Sequence, residues 1–239
     1  MRLLIIRHGD PNYELDCLTE LGKKQAEALS NRLAKLHFDE IYVSPIHRAQ
    51  ETAEPTVKKL GIEPVTLEFL SEGVAWKHYA REFKEGKPCW LFLEKELITY
   101  INSPEVVSLG NKWYDAPKLK QYDFETGDKY FKNEIRSFME KQGYKWDEKT
   151  NTYLEVTPND KRILMFAHEG NSKAFLSALL NLPYPFVSTH FEFGHTCIHR
   201  IIIKPISESD KHCVPRLYGM SVGEHLYSED IPMYFDYMV

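Results

Sequence analysis

The sequence predicts an α/β fold: a three-layer α/β/α sandwich around a mostly parallel sheet, with an inserted cap of helices and a hairpin. One apolar run, LLII at 3–6, reads as a strand buried on both faces, as strands inside a parallel sheet do, and a later one, RILMFAH at 162–168, is an extended segment apolar throughout. Strand-like and helical segments alternate on either side of a long interruption, the pattern of a parallel sheet with helices on both faces. A chain of 239 residues with 43% hydrophobic content can bury one sizeable core with an elaborated cap, without disulfides or metals to hold it.

The elements follow in order. After the first strand, TELGKKQAEALSNRLAKL keeps Leu21, Ala28, Leu29, Leu33 and Leu36 at near-helical spacing, with Thr19 as N-cap. EIYVS at 40–44 is a second strand, and HRAQETAEPTVKKL after Pro45 is a second helix ended by Gly61. Pro55 inside that helix predicts a kink or a late start. VTLEF at 65–69 is a third extended segment, RILMFAH a fourth followed by the helical SKAFLSALLN, and TCIHRIIIK and VPRLYGM supply the last strands. The whole chain, 1–239, reads as a single domain with its cap at about 74–160.

The interruption holds all four tryptophans, Trp76, Trp90, Trp113 and Trp146. WLFLEKELITYI and FETGDKYFKNEIRSFMEKQ are helical patterns, and GYKWDEKTNTYLEV alternates around a polar turn as a β-hairpin does. Tryptophans in an insertion mostly form its own small core, and one or two of these can instead line a cleft. Lys77, Arg81, Lys84 and Lys87 read as a solvated helix face rather than a second anion site.

Composition excludes several classes. A net charge of −5 argues against a nucleic-acid footprint, which shows as clustered positive excess, so any anion site is local. No run approaches the roughly 20 apolar residues of a membrane span. Cys17, Cys89, Cys197 and Cys213 form no C-x-x-C pair, and no secretory signal or address in the C-terminal tail is legible, so reduced thiols in a cytosolic protein are expected.

Ligands of a parallel α/β sheet sit outside the carboxyl ends of its strands. Three strand exits deliver Arg7-His8-Gly9, Ser44-Pro45-Ile46-His47-Arg48 and His168-Glu169-Gly170-Asn171. Two arginines and two histidines at one sheet edge can bind a tetrahedral anion, because guanidinium forks match phosphate oxygens two at a time. A carboxylic acid is then needed to protonate a leaving oxygen, and Asp10, Glu68 and Glu72 compete for that part. His195 and His199, four apart in a strand-like run, would lie some 13 Å apart, about four strand rises, too far to share an ion, so no metal site is expected.

RHG after the first strand, LTELGKKQA opening the first helix, SPIHRAQETAEP after the second strand and HEGN after a late strand together resemble the histidine phosphatase superfamily, also called the phosphoglycerate mutase-like family. The resemblance covers most of the chain except the cap. It implies that His8 is the nucleophile that takes a phosphoryl group and that Arg7, Arg48 and His168 hold the phosphate oxygens, with no cofactor. A leucine-x-glutamate element in the mutase-like branch points to Leu70-Ser71-Glu72, making Glu72 the acid. Two departures stand out. Glu169 occupies a position that is usually glycine, as a second acid candidate or a phosphate contact through its backbone N–H; Glu14 replaces an asparagine, with Asn12 or Tyr13 as substitute donors. The expected activity is metal-independent hydrolysis of a small phosphorylated metabolite, with a phosphoglycerate-type mutase or a non-catalytic phospholigand binder as the alternatives.

Overall fold

The computed structural model describes residues 1–83 and 86–234. Lys84, grouped above with Lys77, Arg81 and Lys87, lies outside them, as do the last residues of the tail, 235–239.

Six strands build the main sheet: β1 (Arg2–Arg7), β2 (Glu40–Val43), β3 (Val65–Thr66), β6 (Arg162–Ala167), β7 (Ile198–Ile202) and β9 (Arg216–Val222), in the order β9-β7-β1-β6-β2-β3. β1 pairs in parallel with β6, β6 with β2 and β2 with β3, while on the other side of β1 β7 pairs antiparallel with β1 and β9 antiparallel with β7, so only β7 is reversed. β1 and β6 are central and buried on both faces, which is why they read as continuous apolar runs.

On one face lie α1 (Glu20–Leu33), capped by the Thr19 hydroxyl accepting from the Gly22 amide, and α2 (His47–Leu60). Their apolar stripes close over Leu4, Ile6, Leu164 and Phe166. α2 runs unbroken through Pro55 and stops at Gly61, whose φ of 66° is open to glycine at little cost. The proline neither delays nor ends the helix.

On the other face lies α6 (Glu169–Leu180), which starts directly after His168 and is buried on nearly every side. The inserted segment supplies α3 (Glu72–Tyr79) and, after α4 (Lys95–Ile101), α5 (Phe124–Lys141); α3 and α5 pack on α6, and the hairpin of β4 (Tyr144–Asp147) and β5 (Thr152–Glu155) packs on α5. After α6 come the short α7 (Tyr184–His190) and, late in the chain, β8 (His212–Cys213), which adds a third strand to the hairpin through β5. α8 (Glu224–Tyr227) closes against α1.

Two expectations are corrected here. Only Val65 and Thr66 of VTLEF pair with the sheet; Glu68–Leu70 turn as a 3₁₀ helix, which tucks Phe69 and Leu70 into the core and aims the chain at Glu72. The insertion does not build a separate small core either. Trp113 is fully buried against Phe124 and Tyr184, and its cluster runs on into Leu3, Ile5 and Met165 of the sheet. Among the described residues no helix is long and apolar enough to cross a membrane.

Candidate active site

Because β1, β6 and β2 are adjacent and parallel, the residues that leave their carboxyl ends meet at one edge. The chain passes tightly there. A Cβ on Gly9 would lie 2.7 Å from the Gly22 carbonyl oxygen, and one on Gly22 would lie 2.2 Å from that of Asp10. The glycines of RHG and LTELG are thus two sides of one backbone contact between the β1 exit and the start of α1. Further backbone bonds fix His8: its amide donates to the Ala167 carbonyl, and its own carbonyl accepts from the Thr196 amide.

The His8 ring is oriented by a 2.8 Å contact from Nδ1 to the Gly9 carbonyl. A carbonyl only accepts, so Nδ1 carries the proton and Nε2 keeps its lone pair. Burial, then His168 and Arg7, holds the His8 pKa well below 6.5, so the ring is neutral at pH 7. The His168 ring centroid is 5.1 Å away. Its Nε2 lies 2.8 Å from the Ser44 hydroxyl, its Nδ1 is buried without a partner, and burial and the two arginines keep it neutral too.

Arg7 is 1% exposed, forms an ion pair with Glu169 at 2.9 Å and donates to the Phe193 carbonyl. Arg48 pairs with Asp16 at 2.6 Å and stands over the Tyr13 ring. Glu72 closes the opposite side. Its carboxyl accepts from the Gly170 and Asn171 amides in the first turn of α6, at 3.0 and 2.7 Å, and Asn171 Nδ2 ties the same turn to the Phe69 carbonyl. Two N–H donors favour the carboxylate, but burial outweighs them and pushes its pKa up to about 7. Arg7, His8, Arg48, Glu72 and Glu169 share a cavity of about 490 Å³, with Tyr13, Trp76, Trp90 and Phe92 as aromatic walls. Trp90 lies so close on α6 that a Cβ at Gly170 would be 2.5 Å from its ring, which accounts for the glycine of HEGN.

The structure thus brings together Arg7, His8, Arg48, His168 and Glu72. Of the competing acids, Glu68 faces a different cleft, beside Tyr130 and Glu134, and Asp10 accepts from the Thr19 hydroxyl. The Glu169 side chain does not turn away: it joins Arg7 and, at 2.7 Å, the fully buried Lys173. Asn12 caps its own loop by accepting from the Glu14 and Leu15 amides, so it is not placed as a phosphate donor, whereas Tyr13 reaches the cavity. His47 holds the Asp16 carbonyl from an exposed position.

Two participants escaped sequence reasoning. His195 precedes β7 in a turn instead of lying in the strand; its ring is 5.8 Å from that of His8 and its Nδ1 3.7 Å from Asp10. His199 is buried elsewhere, against Phe193 and Cys197. The other is Lys173, hidden in an apolar-looking helical stretch. Its ammonium sits 4.0 Å from the Phe92 ring centroid.

Residues 3–91 match the family model described as histidine phosphatase superfamily (branch 1). Over those residues, which include Arg7, His8, Arg48 and Glu72, the chain is similar to that superfamily. Its enzyme class is that of the phosphoric monoester hydrolases. A putative phosphoserine phosphatase 2 from Hydrogenobacter thermophilus is 28% identical over 190 residues, 76% of this chain and 79% of the relative. Among solved structures, a phosphoserine phosphatase mutant from Entamoeba histolytica in complex with phosphoserine superimposes with a TM-score of 0.57 at 20% identity, covering 94% of this chain and 98% of that one. The alpha-ribazole phosphatase from Shigella flexneri gives 0.56 at 20% identity, covering 93% and 97%. At such identities the structural likeness speaks for the fold.

Proposed function

We propose that this histidine phosphatase hydrolyses small phosphomonoesters through a phosphohistidine on His8, without a metal. The observation that carries the reading is the pairing, in one cavity, of a neutral imidazole whose Nδ1 is anchored on Gly9 with a buried carboxyl raised to about pH 7. The Nε2 lone pair attacks phosphorus as the bond to the leaving oxygen breaks, and protonated Glu72 gives that oxygen its proton. Water then attacks the phosphoryl group while the Glu72 carboxylate takes its proton, and the P–N electron pair returns to Nε2. The guanidiniums of Arg7 and Arg48 meet the equatorial oxygens and supply the positive charge this transfer needs, with the His168 ring beside them.

Trp76, Trp90 and Phe92 receive the leaving group. The inserted segment, as a cap at about 74–160 of a single domain, is thereby the source of selectivity. Hydrolysis is favoured over a mutase because two basic residues of the segment stay out of the cavity: Arg81 donates to the carbonyls of Tyr122, Lys77 and Ala80, and neither it nor Lys77 lines the cavity. A mere phospholigand binder has no use for an oriented nucleophile. Four unbridged cysteines suit a cytosolic enzyme acting on a phosphorylated metabolite.

Steady-state release of p-nitrophenol from p-nitrophenyl phosphate in excess EDTA tests the reading, run beside an assay for phosphoglycerate isomerisation. Hydrolysis unaffected by EDTA and faster than isomerisation is expected. Turnover that EDTA abolishes, or isomerisation outrunning hydrolysis, would refute it.

A further inference from the structure

At the opposite end of the sheet, where the parallel strands begin, the chain assembles a second cluster of arginines. Arg2 opens β1 and Arg162 opens β6, and the two are register partners across the sheet. Arg200 comes from β7, opposite Leu4, and Arg32 from the last turn of α1. All four are partly buried and line one cleft of about 260 Å³ floored by Leu4, Leu33, Leu36, Phe38 and Ile198, with Tyr218 at its side.

Charge makes this cleft unusual. Arg200 has a partner in Glu224 at 3.0 Å, but Arg2, Arg32 and Arg162 have no carboxylate oxygen within 4.0 Å among the described residues. The protein as a whole carries a net charge of −5, so carboxylates are in surplus elsewhere. Asp39 and Asp160 line an adjoining cavity with Arg2 and Arg162 without coming within ion-pair distance, so the guanidiniums keep an excess of positive charge that repels itself, a local cost to folding that sequences keep mainly where a ligand offsets it. An arginine fork matches phosphate oxygens two at a time, and its weak hydration suits a half-buried site. The floor is apolar, so the ligand has an apolar or flat part as well as its charge.

We propose that this cleft binds an organic polyphosphate, with two or more phosphoryl groups on Arg2, Arg32 and Arg162 and the organic part over Leu33, Leu36 and Phe38. The site is separate from the catalytic one: β1 carries Arg2 at one end and Arg7-His8 at the other, some 17 Å apart at about 3.3 Å per residue. It stands whether or not the catalytic reading above does.

Calorimetric titration with α,β-methylene-ADP, whose P–C–P link resists hydrolysis, tests it on the whole protein with orthovanadate saturating the catalytic cavity. One equivalent should bind, at least fivefold more tightly than methylenediphosphonate, and 200 mM salt should weaken it severalfold. Arg32→Gln and Arg162→Gln should each weaken binding at least tenfold while leaving p-nitrophenyl phosphate hydrolysis unchanged. Binding that vanadate displaces, that both variants retain, or that is absent up to millimolar probe would overturn the proposal. So would a dimer that Arg162→Gln dissociates, which would make the cleft a protein interface.

Discussion

The two ends of the main sheet both gather arginines, yet they treat them differently. At the carboxyl ends of the strands each cation is matched: Arg7 by Glu169 and Arg48 by Asp16. At the amino ends three of four are not. A catalytic pocket must hold its guanidiniums in one geometry before substrate arrives, and a fixed carboxylate does that. Arg7 and Glu169 are 1% and 6% exposed, a dry pair, whereas Asp16 is 44% exposed and its pairing with Arg48 is screened by water. The same ion pairing therefore has different weight at neighbouring positions of one site.

Replacing the proposed nucleophile has the largest expected effect. His8→Ala should reduce p-nitrophenyl phosphate turnover to background, since none of the other described residues lining the cavity is a histidine. Glu72→Gln should lower kcat by about 10² to 10⁴, the usual worth of general acid–base help. pH sharpens that result. With a pKa of about 7, Glu72 loses its proton as the pH rises through neutrality, so the rate of phosphoenzyme formation should fall above pH 7 in the parent and stay level in Glu72→Gln. Stability follows the same sign. The raised folded pKa favours the native state fully below the ordinary glutamate value of 4.5 and progressively less as the pH rises through 7, a slope that pH-dependent urea unfolding should find missing in Glu72→Gln.

The matched arginines come next. Glu169→Gln removes the charge between Arg7 and Lys173 and should cost about 3–5 kcal/mol in urea unfolding, the usual penalty for breaking a buried pair. Asp16→Asn should change stability by less than about 1 kcal/mol, as an exposed pair does. It should also tighten inhibition by inorganic phosphate a few-fold, because Arg48 no longer divides itself between two anions. Equal stability losses in the two variants would contradict the distinction between the dry pair and the wet one.

The contrast also marks what the sequence could disclose. The strands at 2–7 and 162–167, both main helices and the residues at the three strand exits were legible, because each is set by local apolar pattern, capping and the chain direction of a parallel sheet. The position of Glu72 on the cavity wall was legible too, although the hydrogen bonds that hold it come from residues almost a hundred positions away. What stayed hidden was the product of distant contacts. Nothing near Arg7 announces Glu169 or Phe193 as its partners, nothing in SKAFLSALLN says that Lys173 is a buried counter-ion, and His195 meets His8 only because β7 lies antiparallel beside β1. The Arg2, Arg162 and Arg200 cluster depends on sheet order in the same way. Even VTLEF, with good strand composition, yielded to the burial of Phe69 and Leu70.

The central claim is that His8 carries the phosphoryl group. Rapid acid-free quench of the enzyme with a ³²P-labelled aryl phosphate, followed by alkaline digestion and peptide mapping, tests it most directly. Label that is stable in alkali, lost in acid and confined to the peptide holding His8, accumulating further in Glu72→Gln and absent from His8→Ala, is the expected result. Label of the same stability on another residue, or in His8→Ala, would contradict it.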